Sequence, residues 1–186
     1  DLNQLINLTT HIQFVVDFII KGNLTNVILC GHSYAGMVIT GVADRIAERI
    51  YALVYIDAYV PKDGDSCWSL TSDEYRRRFV DGAGADGFHV AVPPGPEVRR
   101  RPQSLATFMQ RVQLKGDYER IHNRTFIYLT GWEGTPFTNQ YGRLKDSRGW
   151  HVECLNCAHN VMRELPEELS NILCDLEETY ERINIS

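Results

Sequence analysis

Residues 26–61, NVILCGHSYAGMVITGVADRIAERIYALVYIDAYVP, decide the fold. The opening run 26–30 is short, apolar and bounded by Gly31, and its branched residues favour a buried parallel strand. From Gly36 to about Arg49 the chain reads as helical, and Ala52-Leu53-Val54-Tyr55-Ile56 then makes a second buried strand. Strand, helix and strand in that order predict a right-handed crossover and a parallel sheet.

The same alternation extends to both sides. Upstream, Leu5, Leu8, Ile12, Val15, Val16 and Ile19 recur at helical spacing, so residues 4–21 read as an amphipathic helix that Gly22-Asn23 ends. Downstream, residues 125–129 and 150–155 read as third and fourth strands. A last helix starts near Pro166, a good first-turn residue, and is expected to bury Leu169, Ile172, Leu173, Leu176, Tyr180 and Ile183. Between residues 62 and 122 the pattern breaks at Gly82, Gly84, Gly87, Pro93, Pro94, Gly95, Pro96 and Pro102, leaving short helices near 71–80 and 104–111. The expected organisation is one α/β domain over residues 1–186 with a cap inserted at about 62–122. Trp68, Tyr75, Phe79 and Phe88 are the aromatics that would line a pocket under it or pack it internally.

Gly31-His32-Ser33-Tyr34-Ala35-Gly36 lies between the first strand and its helix. A serine on so sharp a strand-to-helix turn has its oxygen pushed out at the carboxyl end of the sheet, and small neighbours let strand and helix approach. The helix N-terminus offers backbone N–H groups to a developing oxyanion, and the Tyr34 N–H is the candidate donor. The usual pattern is G-x-S-x-G; here Ala35 holds the last position and Gly36 follows it.

Serine needs a base. Of six histidines, His159 suits best, because it follows the fourth strand and comes after the nucleophile in chain order. His32 is expected to point elsewhere on the turn, and His11, His89, His122 and His151 to be packed or exposed. Two carboxylates are candidates for orienting the imidazole: Asp57, at the end of the second strand, and Glu133, in the loop after the third. Asp57 is preferred because a buried strand holds it, with Glu133 as the alternative acid.

With these residues in hand, the chain resembles the α/β-hydrolase superfamily, in particular small-ester carboxylesterases related to plant methylesterases and hydroxynitrile lyases. Residues 26–61, 101–130 (RPQSLATFMQRVQLKGDYERIHNRTFIYLT) and 150–169 (WHVECLNCAHNVMRELPEEL) carry the likeness. The resemblance implies an α/β-hydrolase fold, Ser33 as nucleophile and His159 as base. Plant relatives place the acid after the third strand, towards Glu133, whereas haloalkane dehalogenases with a strand-end acid place it at Asp57, so the choice stays open. Asn160 stands where hydroxynitrile lyases carry a lysine, which argues against cyanide handling, and Ser33 excludes the aspartate-nucleophile chemistry of dehalogenases. Relatives begin with further strands and a His-Gly loop that donates to the oxyanion. The chain is therefore expected to lack their N-terminal strands, which would leave the first strand with a bare edge.

Composition bounds the rest. The 186 residues are 44% apolar and 23% charged, with a net charge of −5 that argues against nucleic acid as partner. The Arg76-Arg77-Arg78 and Arg99-Arg100-Arg101 runs read as solvated charge. No apolar stretch reaches the ~18 residues of a membrane span. Five cysteines do not suggest a disulfide framework, and a cytoplasmic location is expected, although sequons at Asn7, Asn23, Asn123 and Asn184 point the other way. Cys30 is expected to be a buried core thiol, and Cys154, Cys157 and His159 form too sparse a set for zinc. The expected function is a serine hydrolase of carboxylesterase type (EC 3.1.1), cleaving small esters through an acyl-enzyme with no cofactor and no metal. Its partner is a small-molecule ester, and a homodimer is the expected assembly if the chain self-associates. The rival from another class is a non-catalytic ligand-binding protein on the same scaffold.

Overall fold

The computed structural model describes residues 6–91 and 101–185. Leu5, the side chain of Ile183, the breakers at 93–96, and Arg99 and Arg100 lie outside the described residues. Helix α1 spans Leu8–Lys21 and is started by Asn7, whose side chain accepts the Thr10 N–H while the Thr10 hydroxyl accepts the Asn7 N–H. That reciprocal pair satisfies two donors the helix would otherwise leave open. Leu8, Ile12, Val16 and Ile19 form its buried stripe.

Strand β1 (Val27–His32) leads into α2 (Ala35–Arg45), and a 3-10 turn at Ala47–Arg49 delivers the chain to β2 (Ile50–Ile56). The helix expected to reach Arg49 thus ends at Arg45 and tightens. Next come α3 (Cys67–Leu70), α4 (Asp73–Gly82), the antiparallel pair β3 (His89–Val90) and β4 (Gln103–Ser104), and α5 (Leu105–Met109). Strand β5 (Asn123–Leu129), α6 (Thr138–Leu144), β6 (His151–Leu155), α7 (Val161–Glu164), α8 (Pro166–Cys174) and α9 (Leu176–Ile185) complete the chain. The single last helix of the sequence reading is two, parted at Asp175. Its apolar stripe survives the break, with Leu169, Leu176 and Tyr180 buried.

The main sheet has the order β1-β2-β5-β6, and all three pairings are parallel. Side chains alternate across a strand, so the inner strands β2 and β5 serve two cores. Leu53, Tyr55 and Phe126 face α1 and α2, whereas Ala52, Val54, Ile56, Ile127 and Leu129 face α7 to α9. This is the α/β-hydrolase arrangement of a parallel sheet between helical layers. One tie joins α2 to the chain ahead of β5: the buried Asp44 carboxylate accepts the N–H groups of Lys115 at 2.7 Å, Gly116 at 2.9 Å and Tyr118 at 3.4 Å. No helix among the described residues is long and apolar enough to cross a membrane.

Two expectations for β1 need correction. It is a strand, but only its Leu29 face is covered; Ile28 is 39% exposed and Cys30 is exposed rather than a core thiol. Among the described residues β1 pairs with β2 alone, and the second core lies over the inner strands. Edge position, not composition, exposes this face.

Candidate active site

Ser33 sits immediately beyond β1 with φ +56°, a left-handed conformation that costs a non-glycine residue energy. Three backbone bonds hold it there: its N–H donates to the Ile56 carbonyl, and its own carbonyl accepts from Gly36 and Tyr59. The crowding explains the flanking glycines. A Cβ on Gly31 would lie 2.8 Å from the Ala35 carbonyl oxygen, and one on Gly36 only 2.0 Å from that of Tyr59. The close approach that small residues permit therefore falls at Gly36, which is why Ala35 is tolerated one position earlier.

Asp57, one residue past β2, repeats the device with φ +42° and its N–H bonded to the Ile127 carbonyl at 2.7 Å. Its side chain is fully buried and points at the imidazole of His159, with Oδ2 2.7 Å from Nδ1. The same oxygen accepts the Trp132 indole N–H at 3.1 Å, and Oδ1 lies 3.5 Å from the Leu129 N–H. Burial pushes the Asp57 carboxyl above its usual range, against the opposing pull of His159. An ionised carboxylate only accepts, so His159 carries its proton on Nδ1 and leaves Nε2 free to take one.

His159 lies on the loop after β6, which is laced to the loop after β5 by Thr130 N–H to Leu155 O and Gly131 N–H to Cys157 O, each 2.9 Å. Trp132 and Phe137 flank its ring at centroid distances of 4.8 and 5.7 Å. Ser33 and His159 both line one cavity of about 270 Å³, together with Tyr34, Tyr59, Phe108 and Phe137. Tyr75 and Phe79 line it too, as does Arg78, whereas Trp68 and Phe88 do not.

The structure thus brings Ser33, Tyr34, His159 and Asp57 together, and leaves Glu133 exposed in the loop after β5. His32, expected to point away, instead lies against His159: the two ring centroids are 4.3 Å apart, and His32 Nε2 is 2.8 Å from the His159 carbonyl oxygen. The other histidines sit elsewhere. His11 meets the Tyr34 hydroxyl, His89 meets Asp86 and His151 meets Glu153, at 2.9, 2.6 and 2.7 Å. Trp132 went unnoticed in the sequence; its only signal was its place beside Glu133 in the same glycine-bounded loop. Among the described residues no group of three His, Cys, Asp or Glu side chains is arranged to hold a metal ion.

Comparison with known proteins bears on the family and the fold. A family model described as the alpha/beta hydrolase family matches residues 1–172. A carbendazim-hydrolysing esterase of Nocardioides sp. (strain SG-4G) is 38% identical over 193 residues, covering 92% of this chain and 79% of that protein. Among solved structures, an extracellular alpha/beta-hydrolase from a Paenibacillus species superposes with a TM-score of 0.77 at 22% identity, over 95% of this chain and 82% of its own. A methylesterase from Arabidopsis gives a TM-score of 0.65 at 14% identity, over 93% of this chain and 78% of its own. At those identities the two structures speak for the fold alone. The family model and the related esterase speak for descent, and by both the chain belongs to the alpha/beta hydrolase family.

Proposed function

We propose that the protein is a serine carboxylesterase acting on small esters. Ser33 Oγ attacks the ester carbonyl while His159 Nε2 takes its proton, and the buried Asp57 carboxylate stabilises the resulting imidazolium. The Tyr34 N–H, at the start of α2, donates to the oxygen that gains negative charge. As the tetrahedral intermediate collapses, the C–O bond to the alcohol breaks and His159 returns the proton to the leaving oxygen. Water, deprotonated by the same imidazole, then releases the acid from Ser33. No step uses a cofactor. The observation that carries this function is the 2.7 Å bond from His159 to Asp57 beside a serine held in a left-handed turn over the same cavity.

The cavity supports the substrate size. A volume of about 270 Å³ walled by tyrosine, phenylalanine and tryptophan rings suits a small ester with a flat or short apolar group. The described part of the cap expected over residues 62–122 supplies Tyr75, Phe79 and Phe108 to the cavity wall. The relative that hydrolyses carbendazim is named an esterase, which supports the class of bond cleaved. The test is turnover of p-nitrophenyl acetate with labelling by a fluorophosphonate probe. Parent protein is expected to turn over and label, and Ser33→Ala to do neither. Equal turnover by both proteins overturns the proposal, and an unlabelled, inactive parent favours a ligand-binding role instead.

A further inference from the structure

We infer that His32 is a positioning residue, tying the backbone of His159 to the turn that carries Ser33 through an Nε2–H bond to the His159 carbonyl. The inference rests on Ser33 and His159 being nucleophile and base, and adds what keeps them in register.

The need for such a tie follows from the sheet. Ser33 leaves β1 and His159 leaves β6, three strand positions apart in the order β1-β2-β5-β6. At about 4.8 Å per position the His159 loop must reach back over roughly 14 Å to meet the serine. Its bonds to Thr130 and Gly131 secure it over β5, and the Ala158 N–H is held by Glu164 at 2.9 Å. Beyond those, Asp57 holds the imidazole from the end of β2, and His32 holds the carbonyl from the end of β1. A ring pinned at one nitrogen alone can still swing about that bond. A second bond to its own backbone, from the residue next to the nucleophile, removes that freedom.

His32 is built for the task. Its backbone is paired opposite Ile56, the residue whose carbonyl also holds the Ser33 N–H. Because a carbonyl only accepts, the 2.8 Å contact assigns the proton to His32 Nε2. Burial, with His159 close by, drives the His32 pKa down to about 4. The ring therefore stays uncharged where esterases work and does not repel the imidazolium that forms 4.3 Å away. With Nε2–H committed to the carbonyl, His32 is not available as a rival base at that nitrogen.

The experiment compares His32→Phe, which keeps a ring without the donor, and His32→Gln, which keeps an N–H donor, with His159→Ala alongside. Loosening a base by a fraction of an ångström is expected to lower kcat by about tenfold to a hundredfold in His32→Phe. KM is expected to stay within about twofold, because His32 does not line the cavity. His32→Gln is expected to recover most of the loss. Parent kcat in His32→Phe, or equal impairment in both His32 variants at unchanged thermal midpoint, overturns the inference. If His32→Phe does not fold, the histidine tautomers of the parent protein decide, read by 15N NMR: Nε2–H on His32 supports the tie and Nδ1–H overturns it. Full activity in His159→Ala instead removes the base assignment itself, an outcome distinct from an inactive His159→Ala beside an unimpaired His32→Phe.

Discussion

Replacing Asp57 by asparagine tests the site where two carboxylates compete for one role. The side chain is completely buried, and its two oxygens accept from three donors: His159 and Trp132 at Oδ2, and Leu129 at a long 3.5 Å at Oδ1. Asparagine has one acceptor oxygen, so one side must be lost. With nitrogen at the Oδ2 position, the amide would face the Trp132 N–H donor against donor. It would also flip His159 to the tautomer that cannot accept the serine proton. With oxygen there, only the long Leu129 contact is given up and the tautomer stands. The second arrangement is the cheaper, so the variant loses the charge and keeps the geometry. A hydrogen bond to a charged group is worth about 1.5–3 kcal/mol, at about 1.4 kcal/mol per tenfold in rate. The expected fall in kcat/KM is therefore about 10 to 10², short of the ~10⁴ that accompanies a wrong tautomer in a serine protease. The assay is p-nitrophenyl acetate hydrolysis by parent, Asp57→Asn and Glu133→Gln, with Glu133→Gln expected to match the parent. If Asp57→Asn stays within roughly twofold of the parent, or Glu133→Gln falls as far, the assignment of the acid is refuted.

Other consequences concern stability. Gly36→Ala would set a Cβ 2.0 Å from the Tyr59 carbonyl oxygen, backbone that cannot rotate away, so a loss of about 1–3 kcal/mol or more is expected. A urea midpoint equal to the parent's would show that the turn relaxes. Asp44→Ala strands the three N–H groups its carboxylate now accepts, at an expected cost of about 2–4 kcal/mol, read from the same denaturation curves. A change below roughly 0.5 kcal/mol would contradict that tie. Finally, burial raises the Asp57 carboxyl in the folded state, so that state holds a proton the unfolded chain has already released. This contribution is whole below the ordinary carboxylate pKa, declines as pH rises to the folded-state value and is flat above it. Asparagine has no such slope, so Asp57→Asn should gain stability relative to parent as pH rises through that window, and parallel curves, or a variant that loses ground to the parent, would count against it.

How much of this was legible depends on whether a property is set within a segment or between segments. The buried run of β2 is apolar on both faces, so a buried strand was readable from residues 52–56. The same logic applied to residues 27–30 failed for Ile28 and Cys30, because being an edge strand is a matter of strand order, which no local pattern encodes. Glycine at 31 and 36 was visible, but that Gly36 and not position 35 meets the Tyr59 backbone needed the neighbouring loop. Asp57 ends a strand and Glu133 lies in the loop after one, so the sequence offered both as the acid; a bond spanning 102 residues separates them. His32 shows the limit most sharply. As the neighbour of Ser33 on the turn, His32 was expected to point elsewhere, yet strand β1 runs on to include it. The left-handed φ at Ser33 ends the alternation at that residue and turns the serine out of the strand's register. The Ser33 turn and the strand-end histidine then meet the same loop from two directions, so the strained residue also brings its neighbour within reach of the His159 backbone.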